Sequence, residues 1–125
     1  MAQGEIANGL NYEALRHAIE RCDPDLVLSF YTEDAQLSIV NAEDQRSSPF
    51  ELRGKAEISK HLRAVCGQKA SHRIEREDVV DAERVTFREA CEYPDGIRVW
   101  VETTLEVQDG KIIRQVDVVE TADLS

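Results

Sequence analysis

The segment that most constrains this fold is the run 97–120, Ile97-Arg-Val-Trp-Val-Glu-Thr-Thr-Leu-Glu-Val-Gln-Asp-Gly-Lys-Ile-Ile-Arg-Gln-Val-Asp-Val-Val-Glu120. It holds two β-rich stretches separated by Asp109-Gly110. That dipeptide is a strong hairpin signal, because both residues tolerate the positive φ of a tight turn. Asp117 sits in the second stretch, with Val116 before it and Val118 and Val119 after. Aspartate is depleted in strands. On a solvated face it is ordinary. On an apolar interior it becomes an acid or base with a shifted pKa.

Register separates these two readings. A two-residue loop, Asp109-Gly110, pairs Val107 with Ile112, Leu105 with Arg114, Thr103 with Val116 and Val101 with Val118. Asp117 then faces solvent with Trp100, Glu102, Thr104 and Glu106. A three-residue loop, Gln108-Asp109-Gly110, pairs Leu105 with Ile113, Thr103 with Gln115, Val101 with Asp117 and Val99 with Val119. A one-residue slip reverses every face. The second register makes an apolar face with Thr103, Gln115 and Asp117 set in it, which is how ligand cavities are built. The other face then collects Arg98, Glu102, Glu106 and Arg114, whose charges can pair across strands.

A chain of 125 residues that is 42% hydrophobic fits one folded domain over 1–125, with 1–10 expected to be flexible. The net charge of −10 disfavours nucleic acid and anionic membranes, since no basic field is present to displace counterions. No apolar run approaches the roughly 20 residues that span a bilayer, and no basic-then-apolar leader opens the sequence. Cys22, Cys66 and Cys91 are odd in number and widely spaced. They point to reduced thiols and a cytoplasmic location.

Helical spacing over residues 11 to 22 places Leu15, Ala18, Ile19 and Cys22 on one stripe, with Asn11 as N-cap. Asp23-Pro24 opens a second helix, its buried side Leu26, Val27, Phe30 and Tyr31. A strand over 35–40 and a polar loop over 41–49 follow. The third helix covers 55–66, with Ile58, Leu62 and Val65 inward and Gly67 as its stop. Strands over 71–80 and 84–93 precede the hairpin. Helices come first and strands after, which gives an α+β class with an antiparallel sheet.

The stretches Asp23-Pro-Asp-Leu-Val-Leu-Ser-Phe-Tyr-Thr-Glu-Asp-Ala35, Arg53-Gly-Lys-Ala-Glu-Ile58, Val107-Gln-Asp-Gly-Lys-Ile112 and Gln115-Val-Asp-Val118 resemble the nuclear transport factor 2-like superfamily. The SnoaL-like polyketide cyclase and ketosteroid isomerase-like branch is the nearest in character. The resemblance spans roughly residues 11 to 120. It implies a cone-shaped, curved, mostly antiparallel sheet wrapped around three N-terminal helices, a cystatin-like α+β roll. It also implies an apolar cavity and a homodimer joined through the outer sheet face. In the cyclase branch a last-strand Asp, in a His-Trp-Asp-like word, is the acid/base. Gln115-Val116-Asp117 occupies that word; the Asp matches, and the preceding His and Trp do not.

The ketosteroid isomerase branch carries a Tyr and two Asp residues where this chain has Leu15, Ile39 and Thr103, which speaks against that mechanism. The epoxide hydrolase branch needs Arg-x-Asp, and neither Arg84-Val85-Thr86 nor Arg88-Glu89-Ala90 supplies it. The expected chemistry is therefore a cofactor-independent cyclase or isomerase reaction on an apolar, polyketide- or steroid-like carbonyl compound. Asp117 is its acid/base, and Gln115 and Thr103 are donors to the developing oxyanion. Val101, Val119, Leu15, Ile39, Phe87, Glu89 and His72 are the further candidates for the cavity wall. His17 and His61, among charged neighbours on helices, are expected to be exposed. No metal is expected, because no His/Cys/Asp cluster has zinc spacing, and no cofactor motif is present. The alternative from another class is a ligand-binding or dimerisation domain without chemistry. Cavity polarity separates the two: an enzyme needs Asp117 inward beside at least one donor.

Overall fold

The computed structural model describes residues 5–6, 10–42, 49–81 and 83–121. Short strands β1 (Glu5–Ile6) and β2 (Leu10–Asn11) pair antiparallel inside the segment expected to be flexible, and Leu10 is fully buried. Helices α1 (Tyr12–Arg21) and α2 (Pro24–Leu28) follow. Asn11 caps α1 by accepting from the Ala14 amide, and Asp23 caps α2 by accepting from the Leu26 amide. Both caps satisfy amides that have no partner inside the helix.

Strands β3 (Tyr31–Asn41) and β4 (Phe50–Arg53), helix α3 (Gly54–Cys66), and strands β5 (Ser71–Asp81), β6 (Arg84–Glu92), β7 (Arg98–Gln108) and β8 (Lys111–Thr121) complete the chain. Of the loop expected over 41–49, residues 43–48 lie outside the described residues. The strand Phe50–Arg53 was not expected. It is only four residues long, and half of it lies in what reads as the approach to α3.

The six long strands form one sheet in the order β4-β3-β8-β7-β6-β5. Every pairing is antiparallel except β3 with β8. This is the expected α+β roll: an open, curved, mostly antiparallel sheet with the helices on its inner face. Helix α1 packs on β5 and α3 on β3. Leu15, Ala18, Ile58, Val85, Leu105 and Ile112 form the centre of the core. The second helix is shorter than expected. Its Leu26 is exposed, while Tyr31 begins β3 and is buried there.

The hairpin follows neither expected register. Asp109 and Gly110 have φ of 53° and 78°, the two positive values of a type I′ turn, and Gln108 pairs with Lys111 across it. Val107 pairs with Ile112, as the two-residue loop requires. The ladder then shifts between Glu106 and Val107, leaving Ile113 as an extra residue. Beyond this bulge Leu105 faces Gln115, Thr103 faces Asp117 and Val101 faces Val119. One extra residue reverses all side chains that follow it. The turn thus belongs to the first reading and the inward face of Asp117 to the second.

Candidate functional site

A cavity of about 240 Å³ lies between the helices and the inner face of the sheet. Its wall is mainly apolar: Leu15 and Ile19 from α1, Val27 from α2, Leu62 and Val65 from α3, and Leu37, Ile39, Phe87, Val101 and Val119 from the strands. Asp117 stands in this wall on β8, a strand inside the sheet, with Ile39 beside it on β3 and Thr103 opposite on β7.

Three side chains orient the carboxylate. Thr103 Oγ1 donates to Asp117 Oδ1 at 2.9 Å, and Gln115 Nε2 donates to the same oxygen at 2.8 Å. The amide of Gln115 is fixed in turn, because Tyr31 Oη donates to its Oε1. No hydrogen bond to Asp117 Oδ2 is present among the described residues. Burial raises the Asp117 acid from 3.8 to about 6, against the lowering effect of the Gln115 and Thr103 hydrogen bonds; the charge on Glu89 raises it further. The Tyr31 phenol is pushed up by its own burial, then by Asp117 and Glu89, so it remains a neutral donor.

Of the two expected oxyanion donors, Thr103 spends its only proton on Asp117 and, almost wholly buried, is not part of the cavity lining. Gln115 gives one of its two amide protons to Asp117 and lines the cavity. Both residues position the carboxylate. Leu15, Ile39, Phe87, Val101, Val119, Gln115, Glu89 and His72 all line the cavity with Asp117.

A second polar group faces the same space. His72 on β5 and Cys91 on β6 are directly paired, and Glu89 lies two residues before Cys91 on the same face. His72 Nδ1 lies 2.8 Å from Glu89 Oε2 and 3.3 Å from Cys91 Sγ, and Cys91 Sγ lies 3.5 Å from Glu89 Oε2. Burial pushes the Cys91 thiol up, with the negative charges of Glu89 and Asp117 adding to it, so the thiol is protonated. The expectation of no metal-ligand cluster rested on linear spacing. These three groups come together only through strand pairing.

Other residues escaped the sequence reading. Tyr31 lies in the wall because it belongs to β3 rather than to α2. Tyr93 is also in the wall; its phenol is raised by burial, then by Cys91 and Glu89. His61, expected to be exposed, is half-buried in the wall, and desolvation lowers its pKa. The preceding Ile58 and following Leu62 and Val65 carry the helical spacing that turns His61 partly inward. Cys22 and Cys66 form a disulfide that joins the C-terminal ends of α1 and α3 at the cavity. The expected reduced state holds for Cys91 alone. With two of the three cysteines paired, the thiols no longer point to a reducing compartment. Among the described residues no helix is long and apolar enough to cross a membrane.

The profile of a family described as SnoaL-like domain matches residues 12–115. No curated protein matches the sequence. Among solved structures, a de novo designed protein with a curved β-sheet superimposes with a TM-score of 0.74 and 18% identity, covering 96% of this chain and 88% of its own. A Kribbella flavida protein provisionally named a ketosteroid isomerase gives 0.72 and 16%, covering 90% and 77%. A Xanthomonas campestris protein provisionally named a polyketide cyclase gives 0.64 and 18%, covering 85% and 84%. At these identities the likeness is one of fold, and fold alone carries no activity.

Proposed function

The chain belongs to the SnoaL-like domain family, and on that premise we propose that it is an enzyme that moves a proton within a compact apolar carbonyl compound, with Asp117 as the acid/base. The reading is carried by one observation: a carboxylate in an apolar cavity, both of its donors on one oxygen, with an acid strength of about 6. A base tuned close to neutrality is half-ionised near working pH and can both accept and return a proton.

The second oxygen, Oδ2, removes a proton from the carbon alpha to the carbonyl, and the electron pair of that C–H bond passes into an enolate. The neutral Tyr93 phenol, also in the cavity wall, donates to the enolate oxygen, while Tyr31 keeps its proton on Gln115. Asp117 then returns the proton to a different carbon, which shifts a double bond. In a cyclase the enolate carbon instead attacks a second carbonyl carbon of the same molecule, and Asp117 gives its proton to the new alkoxide. Neither course consumes an organic cofactor. The cavity of about 240 Å³ is just under the usual range of roughly 300–1,000 Å³, which favours one or two rings over a four-ring steroid.

The test requires no knowledge of the natural product. Compact cyclic ketones are incubated with the protein in deuterated water, and exchange alpha to the carbonyl is followed by proton NMR. The expected result is catalysed exchange with a rate that rises with pH and levels off above about 6. A flat pH profile, or no exchange across the panel, removes the reading. Tyr31→Phe should slow the same exchange by about tenfold or more and cost roughly 1 kcal/mol of stability, because the half-buried Gln115 carbonyl loses its donor. Full activity in that variant assigns Tyr31 no part in aligning the site.

The same proposal includes a homodimer through the outer sheet face. Trp100 lies there half-buried, with the Arg88 guanidinium 5.3 Å from its ring centre, and Arg88 also reaches Glu75 and Glu102. An aromatic residue beside arginine is a frequent energetic centre of an interface. Trp100→Glu should weaken self-association about tenfold or more in sedimentation velocity; an unchanged profile refutes this interface.

A further inference from the structure

The geometry points to a divalent transition-metal site, suited first to Zn²⁺, formed by His72 Nδ1, Glu89 Oε2 and Cys91 Sγ in the cavity wall. The three ligand atoms lie within 4.8 Å of one another. Ligands around tetrahedral zinc, at bond lengths of 2.0–2.3 Å, stand about 3.3–3.6 Å apart. The sulfur edges of this triangle, 3.3 and 3.5 Å, already have those lengths. The third edge, at 2.8 Å, is the hydrogen bond between His72 and Glu89 that an ion would replace.

Ligand type points the same way. One imidazole, one thiolate and one carboxylate suit zinc and its neighbours rather than calcium or magnesium, which prefer oxygen alone. Binding displaces the Cys91 thiol proton to solvent, and the resulting thiolate together with ionised Glu89 neutralises a divalent ion. The frame is rigid, because His72 and Cys91 are both buried and sit opposite each other on paired strands. All three residues line the cavity, so an ion held by them keeps a fourth position for water or a carbonyl oxygen. His72 Nε2 is buried without a hydrogen-bond partner among the described residues, so the ring is oriented only from its Nδ1 side.

The full chain, treated with chelator and left unreduced, is titrated with Co²⁺ and then with Zn²⁺ as competitor. The expected result is one ion per chain, with a near-ultraviolet thiolate-to-cobalt band and the intense visible bands of a tetrahedral site. Both should disappear as Zn²⁺ is added. Cys22 and Cys66 are tied in the disulfide, so the thiolate band reports Cys91. Cys91→Ser should abolish it. Glu89→Gln, which keeps the side-chain shape, should weaken binding about tenfold or more while leaving the circular dichroism unchanged. A thiolate band that survives Cys91→Ser, no thiolate band in the parent, or parent-like affinity in Glu89→Gln overturns the site. The readout uses no substrate, so its failure leaves the acid–base reading of Asp117 standing.

Discussion

Asp117→Asn is expected to fold, to retain ligand affinity, and to slow carbonyl-alpha exchange by about two to four orders of magnitude, the usual contribution of a general base. The asparagine Oδ1 can still accept from Gln115 and Thr103, so the cavity keeps its shape. The same substitution should change stability in a pH-dependent way. Burial holds the acid at about 6 in the folded chain against 3.8 in the unfolded one, so the folded protein binds this proton more tightly. The resulting stabilisation is complete below pH 3.8 and is lost as pH rises through about 6. Above that, the ionised carboxylate costs folding about 3 kcal/mol relative to its protonated form. Asparagine never ionises. The variant should therefore differ little from the parent near the lower end of this window and gain up to about 3 kcal/mol on it at neutral pH. Urea titrations at the two pH values measure this. An equal difference at both would mean that Asp117 is solvated, and the catalytic reading would fail with it.

Reduction of the Cys22–Cys66 disulfide is expected to be the other large effect. The bond closes a loop with a sequence separation of 44. Cross-linking a loop of that length restricts the unfolded chain by up to about 4 kcal/mol. For a domain of this size the loss lowers the melting temperature by on the order of 15 °C. The paired variant Cys22→Ser, Cys66→Ser should melt where the reduced parent melts and should not respond to reductant. Parent melting that is insensitive to reductant would contradict the bond. Because both half-cystines lie in the cavity wall, the reduced protein should also bind compact ketones more weakly.

Much of the architecture was legible locally. Asn11 and Asp23 announced their helices because a cap needs only the side chain and the next three residues. Asp109-Gly110 announced its turn because positive φ is a property of the residues themselves. Tyr31 was misplaced because its hydrophobicity fits the end of a helix as well as the start of a strand. His61 was misread because its charged neighbours on α3 said more about the outer face than about the inner one. The disulfide was missed because its halves lie 44 positions apart, and only the packing of α1 and α3 on α2 brings them together.

The sequence by itself determined the fold class, the turn and the presence of an unusual acid in a strand, because each rests on a local preference or a short period. The tertiary structure alone decided which way that acid points. A single bulge at Ile113 reverses the side chains beyond it, and no local propensity distinguishes a bulged ladder from a continuous one. The same holds for His72, Glu89 and Cys91. Their proximity follows from pairing between strands, which is a property of the register and not of spacing along the chain.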